Sequence, residues 1–462
     1  MNITLFDRNP YVGGRSTTVD VYDDPSNPVE LGASVFVELN KILMNATRDF
    51  NLSTDMLTAN TRDVPGASLS VWDGQNLVLQ QTSSSDWWES LKLLWKYGTA
   101  PIKTLNLMKS TVSKFLKMYE EPTFPWMSLT QVAQDVGLAA VTAATGEQYM
   151  HENGITGNFG HDIVQASTRV NYAQNLRYIH GLEAMVCMAA QGAMAVEGGN
   201  WQIFDQMVTA ASATRVLGTE VMSMKPKGDG WLLGYRNSGE DVKLNLHTQH
   251  FDSVILAAPY QYTNLSIAAE LGHEPDKVPY VQLHVTLFTS PHLLSPSFFN
   301  LPSDKPAPKV ILTTLPLDED PKEGPAGCGS VGFFSISLLR PTTNPQTGKP
   351  EYLYKIFSPA PPNSTFLSHL LGTEHPIEDG DISSGSGDVT WLYRKVWNSY
   401  PYEYPRVSFE NIQLADGLWY TGGMDSFIST METNALMGMN VARLLVDHWQ
   451  IRRLADATGV PE

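Results

Sequence analysis

What this chain has little of narrows it first. It holds only two cysteines in 462 residues, Cys187 and Cys328. Far apart in sequence, they make neither a metal-ligand spacing nor a redox CxxC. They could close one disulfide, but such residues more often pack as small buried hydrophobes. Charged residues are only 17% against 42% hydrophobic, too apolar for a disordered chain. Basic residues are outnumbered 31 to 48, giving a net charge of −17. Phosphate backbones repel such a surface, which argues against nucleic acid as a partner. No apolar run reaches the ~18 residues of a membrane-spanning helix. No secretory signal stands at the start. There is no Gly-x-Ser-x-Gly elbow, and the His247/His250 pair lacks a glutamate and a helix, so no metal site is expected.

What is present reads as alternating sheet and helix. Asn2 to Asp7 is a short apolar run ending in a carboxylate, and Thr17 to Tyr22 alternates like a strand. Residues 35–52 carry helical spacing, with Leu39, Ile42, Leu43, Ala46 and Phe50 on one face. From Ser85 to about Ala195 the pattern turns helical, with Trp88, Leu91, Leu94 and Trp95 at its start. Core packing is the expected role of those tryptophans, with peripheral membrane contact left open. Strands follow at Thr214, Val221 and Trp231, with a turn at Gly228–Gly230. Phe251 to Ala258 reads as a buried strand stopped by Pro259. Residues 376–388 are acidic and Gly/Ser-rich, a loop signature, and a helix closes the chain from about Thr430 to Trp449. Asn-x-Ser/Thr triplets at Asn2, Asn45, Asn51, Asn264 and Asn363 mildly favour a secretory-pathway protein.

A constellation for a flavin dinucleotide is spread over three segments. Asp7 ends a strand and can accept the adenosine ribose hydroxyls. Arg8 opens the following loop, where Gly13 and Gly14 let backbone approach phosphate and Arg15 neutralises its charge. Gly32-Ala33-Ser34 makes a small-residue turn suited to pass under a flavin ring. In the last segment Gly423 follows a strand, and Asp425 is placed to hold ribityl hydroxyls. Thr430, Met431 and Glu432 open a helix whose amides would stabilise negative charge on the reduced ring. Gly327-Cys-Gly-Ser-Val-Gly332 fits Gly-x-Gly-x-x-Gly, but neither a strand precedes it nor a helix follows, so it reads as a turn.

Four further stretches carry a family resemblance. They are Val196-Glu-Gly-Gly-Asn200, Arg169-Val-Asn-Tyr-Ala-Gln174, Asp86-Trp-Trp88 with the Leu93–Gly98 run, and Ser429-Thr-Met-Glu432 with Asn440-Val-Ala442. On them the chain resembles prenylcysteine oxidases, within the amine-oxidase-like flavoproteins. The resemblance implies an α/β fold: an FAD-binding Rossmann-like domain plus a mixed α+β substrate domain with a helical lobe. The expected division is 1–80, 196–262 and 411–462 for FAD, 81–195 for the helical lobe, and 263–410 for a β-rich substrate domain. It implies FAD as cofactor, Val221 holding the adenine, and S-prenyl cysteine and O2 as reactants. A prenyl aldehyde, cysteine and H2O2 are the implied products. A monomer in a lysosome or vacuole is expected. The family's first strand, glycine turn and helix have no counterpart here, so the chain is expected to be part of a longer protein. Two alternatives stay open: an amine or polyene oxidase of the same fold, and a flavin-free prenyl-lipid carrier.

Overall fold

The computed structural model describes residues 1–56, 59–81, 93–239, 246–373 and 387–458, with side chains as far as residue 451. The Trp87–Trp88 pair and most of the 376–388 loop lie outside the described residues.

The largest element is a seven-stranded mixed sheet, in the order Trp391–Pro401, Tyr280–Ser290, Pro350–Ser358, Ser335–Thr343, Val310–Thr313, Leu69–Trp72, Leu77–Gln81. All its pairs are antiparallel except Val310–Thr313 against Leu69–Trp72. The strand Pro350–Ser358 is buried at nearly every position, so both its faces are covered. This pairing corrects the division drawn at residue 80. The hairpin 69–81 reaches across the chain to join the β-rich sheet, because Trp72 and Leu77 pack into that sheet's core.

The cofactor side is built from short parallel pairs. Thr4–Asp7 pairs with Thr214–Leu217, and Val254–Leu256 with Leu418–Tyr420. The three-stranded meander Thr219–Lys227, Gly230–Asn237, His247–Phe251 packs on both through Phe6, Val221, Trp231, Leu233, Val254 and Leu418. The hairpin at Gly228 falls where the sequence placed it. The buried strand expected over 251–258 is corrected. It divides into two pieces, and Ile255 is 42% exposed. Among the described residues Val254–Leu256 has a single strand neighbour, so one edge and one side chain stay uncovered.

Helices between residues 100 and 187 form the second lobe, from Ala100–Leu116 to Gly181–Cys187, while Trp201–Ala210 packs on the helix Lys41–Asp49. Cys187 and Cys328 are free and buried, one in the helical core and one beneath the sheet. Trp95 corrects the core-packing expectation for its own position, since it is 91% exposed.

Arg169, from the Arg-Val-Asn-Tyr stretch, ties the lobe to the sheet. Its guanidinium is fully buried and donates to Gly327 O (2.7 Å), Cys328 O (2.9 Å), Asn175 Oδ1 (2.8 Å) and Thr313 Oγ1 (3.1 Å). The Gly327–Gly332 turn is therefore a cradle of carbonyls around a cation, the opposite polarity to a phosphate loop. Lysine cannot span four acceptors with a point charge. Arg169→Lys should therefore leave two or three buried carbonyl or amide acceptors unpaired, at roughly 1–3 kcal/mol each. The expected result is a fall of at least about 3 kcal/mol in stability by chemical denaturation, with the charge kept.

Candidate functional site

The N-terminal loop and the start of the closing helix meet at one carboxylate. Arg15 Nη2 donates to both oxygens of Asp425, at 3.0 and 2.8 Å. Tyr280 Oη (3.1 Å) and Asn434 Nδ2 (3.0 Å) donate to the same carboxylate, and Ser429 Oγ lies at 3.4 Å. Arg15 also donates to Ser399 O at 2.6 Å on the edge strand of the large sheet. Arg15 and Asp425, read separately as a phosphate and a ribityl ligand, are thus each other's partner here.

The glycine loop before Arg15 is shaped as expected of a close backbone approach. Gly13 has φ +126°, and a Cβ there would run into Ser16 O and Trp201 Cβ. Tyr11 Oη donates to Gly14 O. Asp7 Oδ1 accepts Asn9 N–H at 2.8 Å, and burial raises its carboxyl above the usual range. Arg8 turns away to donate to Tyr262 O. Val221 faces the first strand from the meander, beside Phe6.

A second centre lies around the turn at residues 32–34. Asn200, the last residue of the Val-Glu-Gly-Gly-Asn stretch, is fully buried and clamps it. Its N–H donates to Glu30 Oε1 (2.5 Å) and its Nδ2 to Ala33 O (2.8 Å). Ala33 sits at φ +51°, held left-handed by that clamp. Gly32 lies under the indole of Trp397, where a Cβ would meet Cζ2 at 2.8 Å. From the large sheet Lys355 Nζ donates to Glu30 O and Ser34 Oγ, both at 2.8 Å. Burial pushes the Lys355 amine down to about 8 and the Glu30 carboxyl up to about 7, each opposed by the other's charge. Lys355 was not singled out from sequence. The available signal was a lysine inside an otherwise apolar run, Tyr352 to Phe357.

The C-terminal residues divide by role. Thr430 and Thr433 cap the closing helix reciprocally, N–H to Oγ1 at 3.1 Å each way. The first-turn amides of Met431 and Glu432 have no intrahelical acceptor, as at any helix start. The Met431 side chain packs beside Phe36 and Leu43. The Glu432 carboxylate caps the helix Lys41–Asp49, accepting from Ile42 N, Leu43 N and Tyr119 Oη. Gly423 packs against Glu410.

Behind Asp425 lies a polar core that sequence reading missed. His180, Glu183 and Glu403 are fully or almost fully buried. His180 Nδ1 accepts Glu183 N–H at 3.1 Å, which places its ring proton on Nε2, 3.7 Å from Glu403 Oε2. Both oxygens of Glu183 and of Glu403 lack hydrogen-bond partners among the described residues. Burial pushes Glu183 up to about 8, with Asp425 adding to it, and Glu403 well above its usual range, with Glu183 and Asp425 adding. Burial and Arg406 push His180 down to about 3.

The comparisons bear on what this arrangement serves. The family described as prenylcysteine lyase matches residues 80–456. The chain belongs to that family. Farnesylcysteine lyase of Arabidopsis thaliana is 25% identical, with 97% of this chain and 83% of that protein aligned. Prenylcysteine oxidase 1 of Homo sapiens is 24% identical, over 97% of this chain and 84% of its own length. Among solved structures, a putrescine oxidase redesigned for cofactor binding superposes at TM-score 0.58 and 11% identity, covering 96% of this chain and 93% of that one. A fatty acid isomerase from P. acnes gives 0.55 at 10% identity, covering 96% and 92%. Likeness at that identity concerns the fold alone, an α/β fold with a substrate domain that this chain shares with those structures. The chain is an oxidoreductase of the prenylcysteine lyase family.

The residues fit the ring and ribityl half of a flavin. Ser16 Oγ, Glu30 Oε2 and Ser399 Oγ are buried without partners beside Arg15 and Gly32. For the pyrophosphate, a glycine turn, Gly198–Gly199, stands between the strand Met194–Val196 and the helix Trp201–Ala210, but the Asn200 N–H at that helix start is donated to Glu30 Oε1.

The buried groups set a pH dependence. A carboxyl whose folded pKa is raised stabilises the fold fully below its unfolded value and loses that contribution as pH rises through the folded one. Glu183, Glu403 and Glu30 therefore weaken the fold as pH climbs from 4.5 towards 7–8. His180, whose folded pKa is depressed, stabilises above 6.5 and loses that as pH falls towards 3. Three carboxyls outweigh one imidazole between 4.5 and 6.5, so the thermal midpoint should peak near pH 4.5 and fall towards neutrality. Glu183→Gln should flatten that fall by about 1.4 kcal/mol per pH unit and raise the midpoint at pH 8. An unchanged slope would show that Glu183 does not hold the proton.

Proposed function

We propose that this chain is an FAD-dependent thioether oxidase that cleaves S-farnesyl or S-geranylgeranyl cysteine. Water and O2 are consumed, and a prenyl aldehyde, cysteine and H2O2 are formed. The family match across residues 80–456 carries this reading. The names of the relatives supply the substrate class.

Asp7 would hold the adenosine ribose, Val221 the adenine, and the amides of Gly13 and Gly14 with Arg15 the phosphates, Arg8 being turned to Tyr262 O. Gly32, Ala33 and Ser34 would pass under the ring. Asp425 and Gly423 would hold the ribityl chain, and the amides of Met431 and Glu432 the ring's pyrimidine edge, with Thr430 capping their helix. When bound, the flavin supplies the two-electron acceptor that O2 reoxidises. The protein's own work is positioning and proton handling. Asp425 exchanges one of its present donors for a ribityl hydroxyl. Addition of water at the carbon beside sulfur releases a proton, and Lys355 Nζ is the buried amine tuned to take one near neutrality. Tyr172 and Tyr400, ring centroids 5.1 Å apart, and Trp397 supply aromatic surface for a prenyl chain. Peripheral membrane contact would use Trp95 with Leu94, Ile102 and Leu105, all exposed on the helical lobe.

The purified chain, supplied with FAD, should show protein-bound flavin absorption bands and release peroxide with S-farnesyl cysteine but not with putrescine. Peroxide with the amine alone would favour an amine oxidase, and a stable fold without flavin bands would favour a lipid carrier. Lys355→Met should keep the bands and lower kcat by roughly 100-fold, the usual worth of a general base. Its pH–rate profile should lose the limb near pH 8.

A further inference from the structure

Away from the residues assigned above, three side chains converge on one point. His273 and Asp276 come from the loop after Ser266–Ile267, and Glu410 from the segment before Gln413–Ala415. Their ligand atoms lie within 4.8 Å of one another. His273 Nε2 is 3.5 Å from Glu410 Oε2 and 3.8 Å from Asp276 Oδ1. Ligands bound at ~2.0–2.1 Å in a tetrahedral shell stand about 3.4 Å apart, so little adjustment is needed. The Glu410 side chain is only 9% exposed, and its Oε2 has no hydrogen-bond partner among the described residues. Asp276 sets a like charge beside it, partly offset by the Asp276 backbone N–H and by His273 and Arg406, so a cation there still has two carboxylates to neutralise. The backbone is already aligned. Gly272 N–H donates to Leu414 O at 3.1 Å, and Gln261 holds Val278 through both its amide atoms at 2.8 Å.

We infer that His273, Asp276 and Glu410 bind a divalent transition-metal cation of the zinc type. One imidazole nitrogen and two carboxylate oxygens suit such an ion and leave a position for water. The ion neutralises the two carboxylates and fastens the 272–278 loop to the segment of Glu410. Glu410 packs against Gly423, whose Cβ position is 2.8 Å from the Glu410 Cβ, so the tie stiffens the turn after Leu418–Tyr420.

The test is a titration of the whole purified chain, stripped with chelator, with Co2+ followed by visible absorption and then displaced with Zn2+. Wild type should take up one equivalent, develop ligand-field bands that Zn2+ abolishes, and gain thermal stability with either ion. His273→Ala and Asp276→Asn should each weaken uptake by roughly tenfold or more. Those side chains are 48% and 67% exposed, so both variants keep the fold, which circular dichroism checks. No uptake by wild type at millimolar Co2+ overturns the site. Uptake undiminished in the double variant overturns it as well, since the ion then sits elsewhere.

Discussion

The ion pair between Arg15 and Asp425 is the contact on which the candidate site depends. It joins residues 410 positions apart and draws three parts of the chain to one point. The glycine loop arrives with Arg15, the closing helix with Asn434 and Ser429, and the large sheet with Tyr280 and the Ser399 carbonyl. Asp425 is 2% exposed, and four donor groups close around its carboxylate. Removing Arg15 would leave the buried Asp425 carboxylate without its cation, whereas Arg15 itself is 35% exposed. The pair is therefore less a source of net stability than a condition on geometry: loop, helix and sheet edge must all be present to complete the donor shell of Asp425.

That condition spreads outward through charge. The negative charge of Asp425 adds to the burial that raises both Glu183 and Glu403. A site built on one carboxylate thus makes its neighbours hold protons. His180 takes the complementary course and stays neutral, its Nδ1 spent on capping the helix Gly181–Cys187. The result is a core holding protons on its carboxyls and none to spare on its imidazole. Water or a bound ligand reaching Asp425 would alter all of these groups together.

The sequence made legible what is local. The hairpin at Gly228, the strand at Thr214 and the closing helix follow from turn residues and periodicity over a dozen positions. Fold class followed from order: three segments of one type separated by two of another. Lys355, Glu183 and Glu403 escaped because their roles come from burial by elements far away in sequence. No spacing rule marks a lysine whose partners are 321 and 325 positions upstream. The pairing of Leu69–Trp72 with Val310–Thr313 was not legible for the same reason, since it is long-range. Arg169 shows the converse: a recognisable stretch whose buried arginine serves packing, by gathering carbonyls that sequence alone displayed as a glycine motif.

The parallel strands on the cofactor side are the other place where local reading met its limit. Parallel strands are ordinarily buried on both faces and flanked on both edges. Here Thr4–Asp7 and Val254–Leu256 each have one neighbour among the described residues, and Ile3 and Ile255 are exposed. Both strands are instead held from one face by the meander, through Phe6, Val254 and Leu256. Their carboxyl ends are where a dinucleotide would be bound in an open α/β sheet. Asp7 and the turn after Leu418–Tyr420 therefore take their positions from packing on one face and from the Arg15–Asp425 pair, rather than from a continuous ladder of hydrogen bonds. Any weakening of that pair should loosen the ends of these strands before it disturbs the seven-stranded sheet, whose buried strands are paired along their length.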